Sequence, residues 1–136
     1  MMLDNNRRDE AIEVGYKAML ESPELVDRVN FSLNEFKAVC DSKGAEVWGF
    51  FDKEPAGMCV LDGNHPHIVI LKKSHGKCGA QIKTLLGLFL KKHRNLVADV
   101  HKDNKRAISF VEKLGFRFSS TNGEMLIYIL GDDHVF

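Results

Sequence analysis

Several absences narrow the class of this chain. Lysine plus arginine and aspartate plus glutamate number 19 each, so no charge excess supplies the basic footprint of a nucleic-acid binder. Cysteine occurs only at positions 40, 59 and 78. An odd number of cysteines without metal-type spacing reads as free thiols in a reducing compartment, with no metal site and no disulfide framework. The longest apolar-rich segment, Leu85 to Leu90, is far short of the roughly 20 residues that span a membrane, and no cleavable leader pattern opens the chain. Internal repeats, low-complexity tracts and linkers are missing too. A single cytoplasmic domain over residues 1–136 is expected, large enough to bury about two-thirds of its unfolded surface.

What is present falls into a helical third followed by a strand-rich remainder. Arg7 to Glu21 carries Ala11, Ile12, Val14, Ala18 and Met19 or Leu20 at helical period. Asp4, Asn5 or Asn6 would cap this helix and Ser22-Pro23 would end it. A short helical turn is expected from Pro23 to Arg28. Ser32 and Glu35 then form a capping box, opening a helix through Leu33, Phe36, Val39 and Cys40 that stops near Gly44. From Ala45 the period changes. AEVWGFFD and GMCVLDG flank a KEPAG turn as a hairpin, GNHP breaks the chain, and HIVILKK follows as a third strand whose apolar centre suits burial on both faces. A helix is expected from about Ala80 to Arg94, LVADV as a buried strand, and a helix from Asn104 to Leu114 with Ala107, Ile108, Phe110, Val111 and Leu114 inward. FRFSS, a turn at Thr121-Asn122-Gly123, and MLIYIL close the chain as a second hairpin. The expected fold is α+β, a mixed twisted sheet of about six strands with helices on both faces.

The stretch from His67 to Phe116 reads strand, glycine-bearing loop, helix, strand, loop, helix. Such a run calls for a right-handed crossover and parallel pairing of its two strands. It also forms an anion site. The N–H groups of Gly76, Lys77, Cys78, Gly79 and Ala80 would point outward at the positive end of the helix. Cys78 there could instead be a nucleophile of lowered pKa, although no His/Asn partner motif supports it. The basic run Lys91 to Arg94 reads as a solvated helix end, with a phosphate or nucleic acid as its alternative. Trp48, Phe50 and Phe51 read as core, with an acceptor pocket as theirs.

Two motifs then carry a family resemblance. Asn104 to Phe116, NKRAISFVEKLGF, looks like the last motif of the GNAT-superfamily N-acetyltransferases, N-x-x-A-I-x-[LF]-Y-x-K-x-G-F. His75 to Ala80, HGKCGA, resembles that superfamily's coenzyme-A pyrophosphate loop, [QR]-G-x-G-x-[GA]. The chain departs from these patterns at His75, at Cys78 in place of a glycine, and at Val111, where many members keep a tyrosine that protonates the departing thiolate.

The resemblance implies a GNAT-like fold, with residues 1–44 as the helical acceptor side and 45–130 as the sheet and coenzyme core. It implies acetyl-CoA as co-substrate and an amine acceptor, without metal, membrane or nucleic acid, and it allows a homodimer. It assigns coenzyme contacts to Ile70, Leu71, His75, Gly76, Lys77, Cys78, Gly79, Ala80, Asn104 and Phe110, with Ile70 or Leu71 giving the N–H that stabilises the oxyanion. His67 falls near the position of the family's general base and His101 is a second candidate, either of them oriented by Glu46 or Asp99. Direct acetyl transfer to an amine is the first functional reading. A catalytically inactive binding or assembly protein of the same fold, such as a phage-type one, and an acyltransferase using another acyl-CoA are the others.

Overall fold

Apolar spacing decides how the helical third packs. The computed structural model describes residues 7–23, 25–42 and 45–131. The capping candidates Asp4, Asn5 and Asn6, the expected stop at Gly44, and the tail after Gly131 lie outside them. Helix α1 (Arg8–Glu21) buries Ala11, Ile12, Val14, Gly15 and Ala18, the stripe expected from its period. After a 3-10 turn (Val26–Arg28), α2 (Leu33–Ser42) opens on the expected capping box. The Glu35 N–H donates to Ser32 Oγ at 3.1 Å, and the Ser32 N–H to Glu35 Oε1 at 2.7 Å. Val39, among the apolar residues this helix was expected to run through, is exposed.

The strands are β1 (Glu46–Asp52), β2 (Glu54–Asp62), β3 (His65–Ile70), β4 (Asn95–His101), β5 (Arg117–Asn122) and β6 (Met125–Gly131). They form two three-stranded sheets, β1-β2-β3 and β4-β6-β5. The α+β class is therefore observed, but among the described residues the parallel ladder expected between β3 and β4 is not one of the pairings. Two antiparallel pairings are seen instead. Gly63, at φ +62°, and Asn64 fold β3 back onto β2 as a tight hairpin, while β4 pairs with β6 along its whole length, from Asn95↔Gly131 to His101↔Met125.

Local chemistry moved two other turns. The β1–β2 reversal occurs at Lys53 alone, at φ +68°, with a bulge between Phe50 and Phe51, so Pro55 sits inside β2 and not in a KEPAG turn. Thr121 and Asn122 belong to β5, and the closing turn is Gly123-Glu124. Helix α3 (Gly79–Lys92) starts one residue early and ends before His93. Helix α4 (Lys105–Lys113) is capped by Asn104, whose Oδ1 accepts the Ala107 N–H at 3.1 Å.

The chain divides into two compact units. The first takes in residues up to Gly63 with His67–Leu85, and the second Asn64–Pro66 with residues from Leu86 on. In the first, Ala11, Ile12 and Cys40 pack on Val47 and Met58, and Val14 and Ala18 pack on Leu71. A Cβ on Gly15 would strike the Met58 side chain, so that glycine lets α1 lie close on β2. In the second, Leu96, Val100, Val111, Phe116 and Tyr128 are buried. The Tyr128 hydroxyl donates to Glu112 Oε2 at 3.2 Å, and its ring meets Phe118 edge-on at 5.9 Å.

Candidate functional site

The loop between β3 and α3 is built from a 3-10 turn (Lys72–Ser74), a left-handed glycine, and a helix N-terminus. Gly76, at φ +84°, is in a conformation glycine adopts freely. The amide of Ile82 donates to the Cys78 carbonyl at 3.0 Å and opens the helical ladder. The N–H groups of Gly79, Ala80 and Gln81 are therefore the ones a helix start leaves without an intrahelical acceptor. A Cβ at Gly76 or Gly79 would meet nothing within 4 Å, so both positions open onto free space. One expected donor is corrected: the Lys77 N–H is turned inward, to the Ser74 carbonyl at 3.1 Å.

Cys78 does not obstruct the open face. Its side chain is 2% exposed and packed in the core. Burial, and secondarily Asp52, push its thiol above the ordinary range. That is the opposite of an activated nucleophile. Around the loop, Lys73 pairs with Glu54 at 3.5 Å and Lys77 with Asp52 at 3.7 Å, solvent-facing pairs that add little stability.

At the end of β3 the two candidate oxyanion donors separate. The Leu71 N–H is spent on the Ala56 carbonyl at 2.8 Å, which corrects Leu71 as a donor. Successive amides of a strand point to opposite edges, so the Ile70 N–H faces away from β2, on the outer edge of β3. The ring of His75 lies at the same residue, with Nε2 3.1 Å from the Ile70 carbonyl oxygen. A carbonyl only accepts, so that nitrogen carries the proton.

His67 is exposed on β3, and its backbone N–H approaches the Cys59 sulfur. Neither proposed orienting partner is spare or enclosed: Glu46 accepts the Trp48 indole N–H at 2.6 Å, and Asp99 is exposed. Phe50 and Phe51 are buried core.

The second unit holds His101, Asn104 and Phe110. His101 Nδ1 accepts the Asp103 N–H at 3.1 Å while Nε2 lies 2.9 Å from Glu124 Oε2. Both ring nitrogens are thus engaged in tying the β5–β6 turn to the end of β4, which leaves no lone pair for a substrate proton. Phe110 is 37% exposed and not turned inward as its period suggested. Val111 is buried hydrocarbon with no proton to give.

Two residues that the sequence reading missed hold the loop in place. Glu21 Oε1 accepts the Lys72 N–H at 2.8 Å. The buried Gln81 carboxamide takes both the N–H and the carbonyl of Phe51. Gln81 lies four residues before Leu85 and eight before Phe89 on the buried stripe of α3, and that spacing was the available signal. Among the described residues no group of three or more His, Cys, Asp or Glu side chains could hold a metal ion, and no helix is long and apolar enough to cross a membrane.

No family model matches the sequence, and no curated protein matches it. Solved structures do match. A spermidine N-acetyltransferase chimera from Vibrio cholerae and hSSAT superposes at TM-score 0.77 and 14% identity, over 97% of this chain and 95% of that one. The paia N-acetyltransferase from Thermoplasma acidophilum, in complex with coenzyme A, gives TM-score 0.67 and 19% identity over 95% and 97%. A GNAT-family acetyltransferase from Bacillus anthracis gives 0.72 and 13% over 96% and 94%. At such low identity what is shared is architecture, and this chain has the fold of the GNAT-family N-acetyltransferases.

Proposed function

We propose that the protein is an acetyl-CoA-dependent N-acetyltransferase that transfers the acetyl group directly to an amine. The observation that carries this reading is the loop. Gly76 and Gly79 face open space, the Cys78 side chain is turned into the core, and the amides of Gly79 and Ala80 sit at the positive end of α3. That is a fit for a pyrophosphate, which favours clustered N–H donors at a helix start. His75, Lys77 and Cys78 contribute to the loop's shape and charge, and Asn104 and Phe110 are assigned to the coenzyme by resemblance alone.

Acetyl-CoA supplies an activated acyl group as a thioester. The outward Ile70 N–H is positioned to stabilise negative charge on the thioester oxygen. His67 is assigned as the base that takes one proton from the acceptor ammonium, a task suited to imidazole near neutrality. The amine nitrogen bonds the acetyl carbon, the carbon–sulfur bond breaks, and the amine's second proton goes through solvent to the thiolate, because Val111 cannot supply one. Val111 also favours a second reading, a protein that binds the coenzyme without turnover.

Calorimetric titration with acetyl-CoA tests both readings. Saturable binding with Kd below about 1 mM is expected, and no binding at that concentration overturns both. Thiol release with a panel of primary amines then separates them. His67→Ala is expected to lower kcat/KM about 100-fold with acetyl-CoA affinity unchanged, and an unaltered rate removes His67 as the base.

A further inference from the structure

Helix α3 spends a buried position on an amide. Gln81 is 8% exposed among Ile82, Leu85 and Leu86, which are hydrocarbon. A buried carboxamide is costly unless its donors and acceptor are used. The Gln81 amide is used against one residue: the Phe51 N–H donates to Oε1 at 3.0 Å, and Nε2 donates to the Phe51 carbonyl at 2.6 Å. The need for it is visible in β1. The ladder slips between Phe50 and Phe51, and the residue in register with Phe51 is Pro55, which has no N–H to give. A side-chain amide thus completes the backbone pairing that a bulge and a proline interrupt.

The partner of that bond stands in the first turn of α3, next to Ala80 and Gly79. The clamp fixes both the depth of the helix start and its rotation. A helix amide can be aimed at an anion only if the first turn is held, because the terminal turns of a helix otherwise fray. Elsewhere at the loop, Lys73 and Lys77 form ion pairs with Glu54 and Asp52, and Glu21 bonds Lys72 in the preceding turn.

We infer that Gln81 is a positioning residue, whose carboxamide locks the first turn of α3 to Phe51 of β1, where the ladder with β2 slips, and thereby aims the loop amides at the pyrophosphate of the coenzyme. The aiming rests on the coenzyme reading above, whereas the lock does not.

Amide hydrogen exchange and ligand titration test the two parts separately. In Gln81→Leu the amides of Phe51 and Ile82 should exchange at least about tenfold faster than in the wild type. Affinity for coenzyme A should fall about tenfold, while affinity for pantetheine, which has no pyrophosphate, should stay the same. Gln81→Glu guards against a leucine variant that does not fold. Its carboxylate can accept the Phe51 N–H but repels the Phe51 carbonyl, so coenzyme A binding should be weak at neutral pH and return towards wild type as the carboxyl is protonated. Unchanged exchange at Phe51 and Ile82 in both variants overturns the lock. Equal losses for coenzyme A and pantetheine overturn the aiming and leave a general loss of structure. A wild-type protein that binds neither ligand overturns the coenzyme reading and the aiming with it, and exchange still decides the lock.

Discussion

Gly57→Ala is expected to destabilise the protein by about 2–3 kcal/mol and to lower turnover more than it weakens coenzyme binding. A Cβ at residue 57 would stand 2.6 Å from the Val69 carbonyl oxygen and 3.1 Å from the Ile70 Cα. Those atoms are backbone of β3, so no rotamer change relieves the contact. The strand itself must move. The residue that moves is Ile70, whose N–H is the proposed oxyanion donor, and a displacement near 1 Å at such a group can cost about 100-fold in rate. The loop before α3, the proposed pyrophosphate site, is fastened separately, through Glu21 and Gln81, and should keep most of its affinity. Urea unfolding gives the first quantity. Calorimetry with acetyl-CoA and a thiol-release assay give the other two. A variant with wild-type stability would mean that β2 and β3 separate without cost at this point. One whose affinity and turnover fall by the same factor would remove Ile70 as the particular casualty.

How much of this was legible beforehand depended on whether the determining contact was local. The Ser32–Glu35 capping box and the Asn104 cap were readable because donor and acceptor lie three residues apart. The buried stripe of α1 was readable because period alone sets which side is apolar. Period does not say whether anything covers that side, and Val39 and Phe110 are exposed for that reason. The turn at Lys53 was misplaced because Pro55 and Gly57 read locally as turn residues. Opposite Pro55, the backbone of Phe51 is bonded by Gln81, thirty residues further along the chain. The division into two sheets was hidden likewise. A strand–loop–helix–strand run implies a parallel ladder, but a ladder is a long-range pairing, and here a tight turn directs β3 to β2 while β4 pairs with β6 from beyond α4 and β5. At the candidate site the residue types were visible and their directions were not. Leu71 and Ile70 differ only in which edge their amides face, and the Cys78 side chain clears the loop because its position turns it into the core.

Stability should fall steeply as the solution is made alkaline, and Cys59 should be the largest single cause. Its side chain is fully buried. Burial raises its pKa most, Glu46 adds to the rise, and the His67 N–H opposes it weakly. Cys40 and Cys78 are raised in the same direction, both chiefly by burial. The sign follows from which state holds the proton. With its folded pKa raised, the thiol keeps its proton in the folded chain while the unfolded chain ionises near about pH 8.5. The full stability is therefore present below that pH and is lost as pH rises, at about 1.4 kcal/mol per pH unit for each thiol held neutral. By pH 10.5 Cys59 alone should have removed about 2.7 kcal/mol relative to its contribution well below pH 8.5, a large fraction of the roughly 5–15 kcal/mol typical of a domain. Lysine and tyrosine also titrate in this range, among them Tyr128, whose hydroxyl is raised by burial and by Glu112. Comparison with Cys59→Ala cancels these contributions. The alanine variant should be the less stable at pH 8, because it leaves a small cavity costing about 1–2 kcal/mol. Its urea midpoint should then decline less with pH, so that the two curves cross between about pH 9 and 10. Parallel curves over the whole range would mean that Cys59 ionises as easily folded as unfolded, and that the sheet opens around it before the thiol is reached.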